Sequence, residues 1–126
     1  MGRRATGPVG ARAESAAFDY LVQQGLRPVA RNFRCRGGEI DLIMLHGQCL
    51  AFIEVRYRST SNFAQPSHTV DRHKQRKIIR TAAMFYARNR AYANHVMRFD
   101  VVAIEGDNTS PVLWIRDAFR PDDSTL

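Results

Sequence analysis

The sequence predicts an α/β domain: a mixed central β-sheet of about five strands flanked by helices. Three observations lead there. Apolar spacing switches along the chain from a helical period to alternation and back, giving the order helix, three strands, helix, two strands. Two apolar stretches meet across His46-Gly47 as a hairpin. The 126 residues contain no internal repeat and no linker long enough to separate a second domain, so one core is expected.

Residues 1–10, rich in Gly, Arg and Pro, read as a loose basic arm, residues 11–120 as the single domain, and residues 121–126 as a frayed tail. In the first helix, over 11–24, Ala13, Ala17, Tyr20, Leu21 and Gln24 recur at helical spacing, and Gly25 follows as a C-cap. Glu14 shares a side with Ala17, Phe18 and Leu21. Two accounts of it stay open: a first-turn acid complementing the helix dipole, or a carboxylate aimed along the core face. A strand over 27–34 leads into the basic turn Arg34-Cys35-Arg36-Gly37-Gly38, and the hairpin follows.

A polar loop over 59–70, containing Pro66, is expected over the open end of the sheet. The second helix, over 71–92, carries a core stripe of Ile78, Ile79, Ala82, Ala83, Phe85 and Tyr86. Lys74 and Gln75 continue that stripe back by one turn and so point inward rather than to the solvated side. Strands over 97–104 and 112–119 complete the order, separated by a polar turn.

The hairpin carries the chemistry. Its strands, 39–45 and 49–58, are apolar except where Asp41 interrupts Ile40-Leu42-Ile43 and Glu54 interrupts Phe52-Ile53-Val55. A carboxylate in such a setting costs free energy unless it is paired or bound. Opposed residues of a hairpin share a face, so Asp41 and Glu54 share one only if paired positions sum to an odd number, which an even-length loop provides. With His46-Gly47 as the loop, Leu45 opposes Gln48, Asp41 opposes Phe52 and Glu39 opposes Glu54. Asp41 is then diagonal to Glu54 at roughly 7–8 Å, close enough for both to lean onto one metal ion. Phe52 and Arg56 lie on the face of Glu54.

The balance of charge points outward. With 19 Lys and Arg against 12 Asp and Glu, the net charge of +7 favours a polyanionic partner, of which nucleic acid is the commonest. No run approaches a membrane span, and the charged N-terminus lacks an apolar segment for export, so a cytoplasmic protein is expected. Cys35 and Cys49 form no metal-ligand spacing and read as free thiols, and the four histidines fit no zinc pattern. Trp114 reads as core, and Asp100, inside Arg98-Phe99-Asp100-Val101, as the partner of a neighbouring Arg or a further acid at the site.

Taken together, Glu14 in the leading helix, Gly38-Glu39-Ile40-Asp41-Leu42-Ile43, Phe52-Ile53-Glu54-Val55-Arg56, Lys74-Gln75 at the head of a helix, and Arg98-Phe99-Asp100-Val101 resemble the YraN-type family of small uncharacterised bacterial proteins. The likeness covers about residues 11–105 in motif order and spacing. That family belongs to the PD-(D/E)XK nuclease-like superfamily and is similar to archaeal Holliday-junction resolvases. The resemblance therefore implies a restriction-endonuclease-like core in which Asp41, Glu54 and the Val55 carbonyl hold Mg²⁺ or Mn²⁺. Glu14 would complete the acidic cluster directly or through water. It implies DNA as the partner, with Arg34, Arg36, Arg58, Arg72, Gln75 and Lys77 against the nucleic acid, and a homodimer, since a junction cutter needs two sites.

The chain departs from the superfamily pattern at Arg56, where a Lys is usual. Arginine clamps phosphate well, but its pKa above ~12 disqualifies it as a base. Lys74 is the candidate substitute. Three readings stay open: a metal-dependent nuclease, a nucleic-acid-binding module that does not cut, and a plain Glu54–Arg56 or Glu39–Arg56 ion pair.

Overall fold

The computed structural model describes residues 7–58, 70–105 and 111–122. Helix α1 (Gly7–Gln23) precedes strands β1 (Arg27–Cys35), β2 (Gly38–His46) and β3 (Cys49–Arg58); helix α2 (Arg72–Arg88) and a short 3₁₀ turn (Arg90–Tyr92) lead to β4 (Val96–Glu105) and β5 (Pro111–Phe119). The strands form one sheet in the order β1-β2-β3-β4-β5. All neighbours are antiparallel except β3 and β4, which run parallel. Parallel strands need a crossover between them, and α2 lies on it. The mixed five-stranded α/β architecture is the one expected from the pattern. The expected loop over 59–70 and the polar turn after Glu105 lie largely outside the described residues.

Each helix covers one face. Ala13, Ala17 and Leu21 of α1 pack on Leu42, Met44, Ala51, Ile53, Val55, Val102 and Ile104. Ile78, Ile79, Ala82 and Phe85 of α2 pack on Ile43, Leu50, Phe52, Phe99 and Val101. Strand alternation delivers these two sets to opposite sides. No helix among the described residues is long and apolar enough to cross a membrane, and both cysteines are free thiols.

The end of α1 and the start of α2 fall where the sequence sets them, whereas α2, expected to reach residue 92, stops at Arg88 with Asn89 as its C-cap. Gly25, at φ 99°, ends α1 with Gly25 N donating to Val22 O and Leu26 N to Leu21 O, the two bonds of a Schellman cap. Asp71 caps α2, its side chain accepting from Lys74 N at 2.8 Å. Three expectations need correction. Helix α1 begins at Gly7, inside the expected arm, which places Glu14 roughly two turns in and removes the first-turn dipole account. Ala83 is exposed, and Thr81 is buried in the α2 face. The cause is Gly38, where an added Cβ would lie 2.8 Å from Thr81 Oγ1, so the missing side chain lets α2 approach β2.

The hairpin loop is Gly47-Gln48, one residue later than His46-Gly47, because His46 pairs with Cys49. Gly47 adopts φ 60°, and a two-residue hairpin turn of the II′ kind requires a positive φ at its first loop position. The pairing sum stays odd, now running Leu45↔Leu50 to Leu42↔Ile53.

Candidate functional site

One residue beyond Leu42↔Ile53, the register sets Asp41 against Glu54 rather than against Phe52. Regular pairing between β2 and β3 stops there, and Asp41 takes over. Its Oδ2 accepts a 2.7 Å hydrogen bond from Val55 N, so the carboxylate occupies the place of a missing ladder acceptor. That bond anchors Asp41 beside the peptide group linking Glu54 to Val55. Both acids are enclosed, Asp41 at 0% and Glu54 at 4% exposure.

Asp41 is held in this position by a paired irregularity in β1 and β2. Leu42 and Met44 face α1 and Ile43 faces α2, but Ile40 packs on the α2 side as well, so alternation resets at Asp41. The same reset occurs in β1. Ala30 and Phe33, three apart, both pack on the α2 side, and between them Asn32 takes φ 53°. The β1–β2 register sets Asn32 across from Asp41. Asparagine tolerates this left-handed conformation better than most residues. Nothing in the alternation pattern announced this kink, although an Asn in the middle of a strand was a usable signal.

Glu54 lies on the α2 side of β3, and α2 answers it. Lys74 Nζ stands 2.7 Å from Glu54 Oε2, with side-chain exposures of 23% and 4%. The Asp71 cap fixes Lys74 by its own backbone N–H, so the first turn of α2 is set before the side chain reaches to Glu54. The inward direction expected for Lys74 is found; its partner was not foreseen. Arg56 is half-buried and makes no ion pair among the described residues. The expected Glu54–Arg56 and Glu39–Arg56 pairs are therefore replaced by Lys74–Glu54 and by Arg34–Glu39 at 3.7 Å.

Glu14 is half-buried on α1. Among the described residues, no three His, Cys, Asp or Glu side chains are gathered so as to hold a metal. The buried line of α1 packs on the sheet face opposite to the apolar stripe of α2. Asp100 is excluded as a site acid. Its oxygens accept from Arg98 Nε and Nη2 at 2.9 and 2.8 Å, Trp114 Nε1 at 3.1 Å and Asp117 N at 2.9 Å. This saturated carboxylate holds β5, where Asp117 takes φ 55° at a register shift, and it confirms the Arg98 pairing. Burial alone would disfavour the Arg98 charge, but the hydrogen bonds and charge of Asp100, with a further contribution from Cys49, outweigh it and raise the guanidinium pKa.

The other residues expected against nucleic acid divide. Arg36 and Lys77 are exposed, and Arg34 is exposed although near Glu39. The close contact of Gly38 with Thr81 and the Lys77 backbone brings the β1–β2 turn and α2 together, so these cations lie around one end of the sheet. Arg72 pairs with Asp122 at 3.1 Å, which ties residue 122 of the expected tail to α2. Gln75 is turned to the backbone, its Nε2 donating to Val70 O at 2.6 Å. The side chain of Arg58 lies outside the described residues.

Two buried carboxylates, a lysine and a rim of exposed cations thus sit toward the carboxyl ends of the parallel pair β3 and β4, where open α/β sheets take their ligands. The class this defines is an α/β domain with an acidic centre inside a basic surround. The chain belongs to the uncharacterised protein family UPF0102, whose family model matches residues 13–104. It is 43% identical over 121 residues to a UPF0102 protein of Pseudomonas syringae pv. syringae, covering 94% of this chain and 98% of that one. It is 46% identical over 110 residues to a UPF0102 protein of Saccharophagus degradans, covering 87% and 91%. A UPF0102 protein of Psychromonas ingrahamii is 45% identical over 117 residues, covering 93% of each.

Proposed function

We propose that this chain binds nucleic acid and that Asp41 and Glu54 form a divalent-metal site of nuclease type, serving hydrolysis of phosphodiester bonds in DNA. One observation carries the reading: the enclosed Asp41 carboxylate accepts from the peptide N–H that follows enclosed Glu54, so both acids flank one peptide group at the ligand end of the sheet. Like charges so placed repel, and a cation relieves the repulsion. The donors are hard oxygens, as Mg²⁺ or Mn²⁺ requires, and the Val55 carbonyl is the third one the chain offers. With no third side-chain ligand among the described residues, water would fill the remaining positions.

A bound divalent ion supplies a polarised water for in-line attack on phosphorus and offsets charge on the phosphate oxygens. The chain's own residues would do the rest. Arg56 would clamp a phosphate oxygen, and Lys74, the candidate substitute for the usual lysine, would be the second cation toward the phosphate. Arg34, Arg36 and Lys77 hold the flanking backbone. The resemblance of the Asp41 and Glu54 motifs to those of PD-(D/E)XK nucleases and Holliday-junction resolvases is the ground for proposing branched DNA as the substrate and a homodimer as the acting form. Arg56 in place of Lys favours a second reading, in which the same fold binds nucleic acid without cutting.

The test is incubation with linear, single-stranded and four-way-junction DNA in Mg²⁺ or Mn²⁺. Cleavage that disappears in Asp41→Asn and Glu54→Gln supports the nuclease. Salt-dependent binding without cleavage, unchanged by Arg56→Lys, leaves the binding module. Binding indifferent to salt overturns both.

A further inference from the structure

We infer that Lys74 is the internal cation of the metal-free site: its ammonium occupies Glu54 until a divalent ion takes that carboxylate, and the released side chain then turns to the phosphate backbone. The inference rests on the metal-site reading above and adds a regulation of it. Lys74 Nζ lies 2.7 Å from Glu54 Oε2, yet that oxygen makes no aligned hydrogen bond. The contact is thus first of all a charge pair, and a divalent cation competes for the same carboxylate with twice the charge. Glu54 is fixed on a central strand and 4% exposed, whereas the Lys74 side chain is 23% exposed. Of the two partners, the lysine is the more exposed.

The backbone supports the same direction of movement. Asp71 holds Lys74 N at 2.8 Å and Gln75 Nε2 is bonded to Val70 O at 2.6 Å, so the start of α2 stays in place when the side chain swings. Around it lie the exposed cations Lys77 and Arg36, which mark a surface suited to phosphate. Substrate engagement by Lys74 thus becomes conditional on metal: without the ion, one of the basic side chains nearest the acids is spent on Glu54.

Isothermal titration of Mn²⁺ into wild type, Lys74→Met and Lys74→Gln tests the first half. Removing the competing ammonium is expected to tighten Mn²⁺ binding roughly tenfold, and Lys74→Gln guards against a Met variant that folds poorly. Equal or weaker affinity in both variants overturns the inference while the metal site stands. No Mn²⁺ binding by any of the three proteins overturns the metal-site reading as well. The second half is read from the slope of log affinity for duplex DNA against log salt. Wild type and Lys74→Met should share one slope in EDTA. With Ca²⁺ present, wild type should be steeper by about 0.9, the value of one extra phosphate contact. Equal slopes under both conditions overturn the release of Lys74 to phosphate.

Discussion

His46 shows how a single side chain makes stability depend on pH. Burial lowers its pKa from 6.5, the positive charges of Arg98 and Arg116 lower it further, and Asp100 opposes them. Its Nδ1 is enclosed with no hydrogen-bond partner among the described residues, so an added proton there would find no acceptor. The unfolded chain takes up that proton first as pH falls. The contribution of neutral His46 is therefore fully present above about pH 6.5 and is lost as pH drops through the folded-state value. Urea midpoints measured from pH 7.5 to 5 should fall for wild type, and His46→Gln should flatten that fall. An unchanged profile in the variant would show that His46 does not carry the dependence. Glu54 illustrates the other side of burial at this scale. Its position was legible because a charge stood in an apolar strand, but its partner Lys74 lies 20 residues away and no local pattern joins them.

At the scale of elements, two close fits place the acids. The first is the kink shared by β1 and β2. Asn32 at φ 53° sits across from Asp41, and a β-branched residue there is strained. Asn32→Val is expected to cost about 1–2 kcal/mol, read from urea unfolding, and to shift the Val55 amide resonance because Asp41 moves. Asn32→Gly, which accepts positive φ, should leave that resonance in place; a shift of equal size in both variants would detach the kink from Asp41. The second fit is Gly38 under α2. A methyl at that position meets Thr81 Oγ1 at 2.8 Å, so Gly38→Ala should cost about 1–3 kcal/mol. Thr81→Ala removes the clashing atom and should recover part of that loss in a double-mutant cycle. Additive costs would place the strain elsewhere. The hairpin loop belongs to this scale as well. Both His46-Gly47 and Gly47-Gln48 are two-residue loops with odd pairing sums, so parity alone does not choose between them. The need for positive φ at the first loop residue does, and glycine meets it at position 47.

For the whole molecule, the net charge of +7 predicts nucleic-acid affinity that falls linearly in log salt. Arg36→Ala and Lys77→Ala should each reduce the slope by about 0.9 if those exposed cations touch phosphate. Gln75→Ala should leave the slope unchanged, since the side chain is uncharged and bonded to Val70 O. Fluorescence anisotropy over a salt series separates these outcomes, and a slope indifferent to both cations would move the interface off this end of the sheet.

The sequence by itself determined the order of elements, the cap at Gly25, the apolar helix stripes, and the placement of Asp41 and Glu54 in neighbouring strands. These follow from period, parity and residue type, which act over a few positions. Only the tertiary structure decided that Asp41 meets Val55 N, that Lys74 pairs with Glu54, and that Asp100 is saturated on the other face. Those outcomes depend on where α1 and α2 settle on the sheet and on a kink shared by two strands. Such distances are fixed by packing the whole core, and local patterns do not contain them.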